Sequence, residues 1–175
     1  MDCKLIIPTI QYADEIRAYR QEFFDFESSF DGCSSLRRHE NPEDWLEMNR
    51  LLSSRDTLPE EKYVVSTQFI YVRQSDNKIV GMIQVRHYLN DYLRKIAGHI
   101  GYSVRPSERR KGYAKAMLAD SLDFCRELGL DKVMVSCADD NVGSRKTILS
   151  NGGVYDGTVF DEEDNENIER YWITL

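Results

Sequence analysis

Apolar positions recur along the chain at two different periods, and the switches between them lay out an order of elements. Over residues 12–27, Ile16, Tyr19, Phe23 and Phe26 fall three and four apart, the spacing of an amphipathic helix. Over residues 112–128, Ala114, Met117, Leu118, Leu122, Cys125 and Leu128 share one helical face, and Gly129 supplies a C-terminal stop. Asn41 is placed to cap another helix with Pro42 in its first turn, running to about Leu52. Residues 28–41, rich in Ser, Gly and charge, read as a mobile loop.

The other apolar runs are short and rich in β-branched and aromatic residues. Residues 4–10 read as a strand ended at or soon after Pro8. Residues 63–73 and 78–88 flank Ser75-Asp76-Asn77, a turn signature, and predict a hairpin. A third strand, 99–104, stops at Arg105-Pro106, where proline removes a ladder donor and restricts the residue before it. Residues 132–138 are almost continuously apolar, as in a central strand of a partly parallel sheet. Asp140 or Asn141 then caps a short helix that ends at Gly152-Gly153. Residues 154–161 and 168–175 close the chain as a hairpin around an acidic turn. The pattern predicts an α/β (α+β) domain on one mixed sheet, with residues 1–175 as a single domain and no internal repeat.

Composition narrows the functional classes. Of 175 residues, 41% are hydrophobic, enough for a real core. No run approaches the roughly 18 apolar residues of a membrane span, and the N-terminal sequence has no secretory leader pattern. Four cysteines (Cys3, Cys33, Cys125, Cys137) form no C-x-x-C pair or zinc spacing and read as reduced thiols. The expectation is a cytoplasmic protein without a membrane or a metal. A net charge of −7 repels phosphate backbones overall, so no nucleic-acid partner is expected.

One basic segment stands against that charge. From Val104 to Ala114 a strand ends, a short loop carries Arg109, Arg110 and Lys111, and a long helix opens at Gly112. The first turn of a helix offers unpaired backbone N–H groups and the positive end of the macrodipole. A glycine there lets a ligand approach the backbone closely. The arrangement suits a pyrophosphate, with a solvated basic loop as the other reading. It is neither G-x-x-x-x-G-K-[ST] nor G-x-G-x-x-G, so no nucleotide loop of those kinds is implied.

Arg109-x-x-Gly112-x-Ala114 resembles the Q/R-x-x-G-x-G/A signature of the GNAT acetyltransferase superfamily, here preceded by Val104-x-Pro106. Asn141-x-x-Ser144 followed by Gly152-Gly153 is similar to the second motif of that superfamily, and the element order also agrees. The resemblance covers essentially the whole chain. It implies a GNAT fold in which acetyl-CoA, as co-substrate, lies between two parallel strands that splay apart, here 99–104 and 132–138. It implies backbone contacts to pantetheine around Tyr102 to Val104, with the Val104 N–H as oxyanion donor. Arg109, Arg110, Lys111, Gly112, Tyr113, Ala114 and Lys115 would surround the pyrophosphate; Asn141 and Ser144 would meet the pantetheine arm, and Arg145 the phosphates. The implied activity is N-acetyl transfer by direct attack of a primary amine, on a small molecule, peptide or protein. Members often pair through sheet edges or last strands, so a homodimer is an open expectation. A longer acyl chain is also left open.

The match departs from the pattern at the acid and the base. Where many members carry a tyrosine seven residues after the asparagine, this chain has Ile148, and Tyr155 is the nearest substitute in sequence. Where many keep a glutamate, it has Gly98-His99. His99 then reads either as the general base, from its ordinary pKa, or as a strand-end histidine bonded to backbone. Arg86 and His87, on the neighbouring strand, read as binding substrate or lining the sheet, with His87 as a second candidate base. Loss of the tyrosine also leaves room for a non-catalytic acyl-CoA-binding regulatory module. The acidic run 161–166 lacks the glycine of a calcium loop and reads as a solvated turn.

Overall fold

A computed structural model describes residues 2–175; Met1, the start of the expected 1–175 domain, lies outside the described residues. The strands are β1 (Cys3–Ile6), β2 (Ser66–Arg73), β3 (Lys78–Arg86), β4 (Ile100–Val104), β5 (Lys132–Ala138), β6 (Val154–Asp161) and β7 (Glu166–Thr174). The helices are α1 (Ala13–Asp25), α2 (Pro42–Leu52), α3 (Tyr113–Glu127) and α4 (Val142–Leu149). The seven strands form one sheet in the order β1-β2-β3-β4-β5-β7-β6. Only β4 and β5 run parallel, and their register consists of Ile100 opposite Val135. This is a mixed α/β fold with a parallel pair at its centre.

Helices cover both faces. Tyr71, Ile83, Ile100, Val135 and Tyr171 pack with Met117, Leu118 and Cys125 of α3 on one face. Ile70, Val72, Ile79 and Met82 pack with Ile16, Tyr19 and Phe23 of α1 and Trp45 of α2 on the other. A strand buried on both faces needs apolar residues at successive positions, which is why β5 is apolar except at Lys132 and Ser136. The period-three-and-four reading of α1 holds for Ile16, Tyr19 and Phe23, but the helix ends at Asp25 and Phe26 is 61% exposed.

Two local expectations change. The 28–41 segment is not a free loop, because Cys33 and Leu36 are fully buried in it and Trp45 Nε1 donates to the Cys33 carbonyl at 2.8 Å. Gln68 Nε2 holds the Gly32 carbonyl at 2.8 Å, and Gly32 sits against the β4 backbone where a Cβ would meet the Gly101 oxygen. Asn41 occupies the N-cap position of α2 without a side-chain cap bond. Between β3 and β4 the chain makes a short wide helical turn, Leu93–Ala97, closed by Gly98 N–H to the Leu93 carbonyl at 2.7 Å.

Candidate active site

The opening between β4 and β5 follows from hydrogen-bond alternation. Arg86 N–H bonds the His99 carbonyl and Arg105 N–H the Val80 carbonyl, so in the antiparallel β3–β4 register the residues between alternate in direction. Tyr102 and Val104 therefore turn their backbone groups away from β3, toward β5. On β5, the bonds from Asp139 to Asn167 and from Leu175 to Asp131 fix the same alternation and leave Ser136 and Ala138 facing β4. Beyond Ile100 and Val135 the two rows of polar backbone no longer pair.

A groove runs along this opening. Its first part, a cavity of ≈ 650 Å³, lies between the end of β4, the start of α3 and the start of α4. Tyr102, Val104, Arg109, Arg110, Gly112, Tyr113, Ala114, Lys115, Asn141 and Ser144 line it. The second, ≈ 720 Å³, lies between β4, β5, the Leu93–Ala97 turn and the β6–β7 turn, and shares Ser29, Asp31, Tyr102, Asn141 and Ser144 with the first. Gly112 takes φ +85°, a left-handed conformation that lets the loop enter α3 sharply. Asn141 Oδ1 accepts the Ser144 N–H at 3.0 Å and so caps α4 as well as lining the groove.

The loop before α3 is held from below by buried charge. Arg105, 6% exposed, donates to Glu22 at 2.7 Å, to Glu15 at 2.9 Å and to the Ile79 carbonyl. Glu22 also accepts the Ser107 N–H at 2.7 Å. Burial works against the charge on Glu22, but the bonds from Arg105 and Ser107 outweigh it and hold its carboxyl below the ordinary range. Glu108 takes Arg73, Lys78 and Lys111. Burial opposes that charge too, yet the three cations bring its pKa down to about 2.

Three of the residues singled out from sequence are not brought into the groove. Lys111 is drawn to Glu108 at 2.8 Å and does not line either cavity. Arg145 is bound to both oxygens of Glu169, at 2.7 and 3.0 Å, and to the Asp139 carbonyl. His99 is 6% exposed, and its Nδ1 accepts the Met134 N–H at 2.9 Å. With that lone pair engaged, Nε2 carries the proton of the neutral ring, and a base needs a free lone pair. Burial, with Arg86 and Arg94, lowers its pKa to about 4. The geometry is that of the backbone-bonded strand-end histidine. Arg109 does line the cavity, but its guanidinium turns back to the Val104 carbonyl and Ser28 hydroxyl, both 3.1 Å away.

Neither residue considered for the acid position lines the groove. Ile148 is fully buried, and Tyr155 is 56% exposed on β6 with its hydroxyl on Thr158. Tyr102 lines both cavities, and its hydroxyl spans from β4 to Ser144 Oγ of α4 at 2.7 Å. Burial raises its pKa above the ordinary phenol value, so it keeps its proton throughout the working pH range. Asp31, from the 28–41 segment, lines both cavities and was not visible to sequence reasoning. The left-handed Gly32 beside it is the nearest thing to a signal.

Residues 19–152 match the model of the acetyltransferase (GNAT) family. The chain belongs to that family. Solved structures of similar fold include the ribosomal-protein-S5-alanine acetyltransferase from Vibrio fischeri, at 18% identity and TM-score 0.73, covering 99% of this chain and 93% of that one. The microcin C7 self-immunity acetyltransferase in complex with acetyl-CoA and AMP is 16% identical, TM-score 0.72, with the same coverage. The spermidine N-acetyltransferase from Vibrio cholerae is 14% identical, TM-score 0.67, covering 99% and 94%. No curated protein sequence matches the chain. At these identities the likeness is one of fold, and this GNAT chain is an acetyltransferase by family membership.

Proposed function

We propose that this GNAT chain transfers an acetyl group from acetyl-CoA to a primary amine. The observation that carries the reading is the parting of β4 and β5, which leaves polar backbone of Tyr102, Val104, Ser136 and Ala138 facing one another beside the cavity at the start of α3. A pantetheine arm supplies amide donors and acceptors for such rows. Backbone N–H groups at Gly112, Tyr113 and Ala114, with Lys115, suit the pyrophosphate. That the microcin C7 relative holds acetyl-CoA supports the same ligand here.

In the reaction the amine nitrogen bonds the thioester carbon, the carbon–sulfur bond breaks with its electron pair going to sulfur, and the amine loses a proton. The Val104 N–H, turned into the opening, is placed to stabilise the oxyanion without reorganisation. The Tyr102 hydroxyl, midway along the groove, is the proton donor to the departing thiolate, with Ser144 relaying a replacement. Asp31, at the same junction, takes the amine proton through water.

Calorimetric titration with acetyl-CoA, with ATP as the control ligand, tests the reading. Saturable one-to-one binding of acetyl-CoA alone is the expected result. Binding of neither ligand would overturn it.

A further inference from the structure

Arg86 ends β3 at the wall between two cavities, and its charge has no anionic partner. Its NH1 group donates to the Ala97 and Gly98 carbonyls at 3.2 and 3.1 Å, which uses both NH1 hydrogens. Among the described residues no carboxylate oxygen lies within 4.0 Å of the guanidinium, and Nε and NH2 make no hydrogen bond. The unused edge is therefore Nε–H with NH2, the side-on fork whose spacing matches the two oxygens of a carboxylate. A partly buried guanidinium without a counter-ion is costly unless a partner arrives.

The surroundings say where that partner comes from. Arg86 and Tyr92 line the groove's second cavity and also an outer one of ≈ 700 Å³ between α2, the end of β3 and the Leu93–Ala97 turn. Ser34 lines the outer cavity too, and its buried Oγ has no hydrogen-bond partner. Its φ of +46° is a conformation that non-glycine residues rarely hold without a reason. On the groove side, Asp31, Asp140 and Asp161 line the second cavity without reaching Arg86, an environment suited to an ammonium group.

We propose that Arg86 binds the carboxylate of an amino-acid-type acceptor, a primary amine that carries a carboxylate, with its amine directed toward the β4–β5 opening. This rests on the acetyltransferase reading above. The carboxylate has two sources, the main carboxylate of a free amino acid or the side chain of an acidic residue at a peptide N-terminus.

The test uses matched probes on the full chain: phenylalanine against phenylalaninamide, methionine against methioninamide, and an Asp-initiated peptide amide against its Asn-initiated counterpart. Spermidine serves as a purely cationic acceptor. At least one carboxylate form is expected to be acetylated with a kcat/KM roughly 10- to 100-fold above its amide. Preference in the first two pairs assigns free amino acids, and in the third the acidic N-terminus. Arg86→Gln, which keeps a donor for one carbonyl, is expected to erase that preference through KM, read as the ratio of acid to amide within the variant, so that a general loss from the altered turn cancels. Arg86→Lys, a charge without the fork, recovers part. Equal use of acid and amide, preference for spermidine, or a preference that survives Arg86→Gln overturns the inference. Calorimetry of the same acids against wild type and Arg86→Gln, without acetyl-CoA, separates the two failures. If acetyl-CoA does not bind, the transferase reading falls, while Arg86-dependent amino-acid binding still decides this one. No binding or transfer of any carboxylate probe overturns it.

Discussion

The two ends of the groove are built in opposite ways. The end near α3 comes largely from one continuous stretch, residues 102–115, in which a strand, a loop and a helix start follow one another. Its shape is secured from beneath by Glu15, Glu22 and Glu108, while Gly112 and the first turn of α3 line the cavity above. The other end is assembled from pieces far apart in sequence: Asp31 and Gly32, Arg86, Tyr92 and Ala97, and the Asp161–Glu166 turn. A ligand common to a whole family can be met by local backbone geometry. A ligand particular to one member is met by side chains on loops that a rigid sheet brings together.

The sharpest way to break this contrast is at Gly112. Its φ of +85° strains any other residue, and glutamate would add bulk and negative charge where phosphates are expected. Gly112→Glu is expected to weaken acetyl-CoA at least 100-fold by calorimetry, with the melting temperature lowered by only a few degrees. Unchanged affinity would remove the pyrophosphate assignment. Next in size is the support beneath. Glu22→Gln leaves Arg105 with Glu15 as its remaining carboxylate, and the loss of one charge-assisted hydrogen bond costs about 2 kcal/mol. Urea denaturation measures it. Because the folded pKa of Glu22 is lowered, its contribution is present above the ordinary carboxylate range and is lost as pH falls through the depressed value. Glu108 behaves alike, with its contribution lost between about pH 4.5 and about 2.

The same contrast governs what was legible in the sequence. Strand β5 and helix α3 were readable almost to the residue, because one-face burial sets the helical period of α3 and β5 is a short apolar run with breaks on either side. Gly112, Asn141 and Ser144 were legible as groove-lining positions because strand and helix ends within a few residues set where they stand. Arg145 and Lys111 looked equally suited to phosphate, but their side chains answer to Glu169 and Glu108; the Arg145–Glu169 contact crosses 24 positions and comes through the sheet. The choice between the two readings of His99 was hidden for the same reason, since its partner Met134 lies across the parallel pair. The ordered 28–41 segment was missed because Trp45 and Gln68, not its own composition, tie it down.

A middle-sized effect tests Tyr102, which belongs to both ends. Tyr102→Phe removes the hydroxyl and the bond to Ser144 while keeping the ring. If the phenol protonates the thiolate, kcat falls by roughly 10- to 100-fold with acetyl-CoA affinity nearly unchanged. Acceptors are compared at saturation, so that the loss is read in kcat rather than KM. A loss confined to acetyl-CoA affinity would make Tyr102 a wall of the groove instead.

The smallest effect is expected at His99, and it separates structure from chemistry. His99→Ala deprives the Met134 N–H of its acceptor and opens a space against Trp172, whose ring centroid is 6.2 Å away. An unsatisfied buried donor costs about 1–3 kcal/mol, so the variant melts lower. The folded pKa is depressed to about 4 by burial, Arg86 and Arg94, which means the folded state favours the neutral ring. Its contribution is complete above the unfolded value near 6.5 and is lost as pH falls from there toward 4. The stability gap between wild type and His99→Ala should therefore narrow over that window. Turnover between pH 6 and 9 should keep one profile in both proteins, since the ring holds no proton that changes hands. A turnover inflection near 6.5 that disappears in His99→Ala would return the histidine to the reaction, and would mean that the Met134 bond opens when substrate enters.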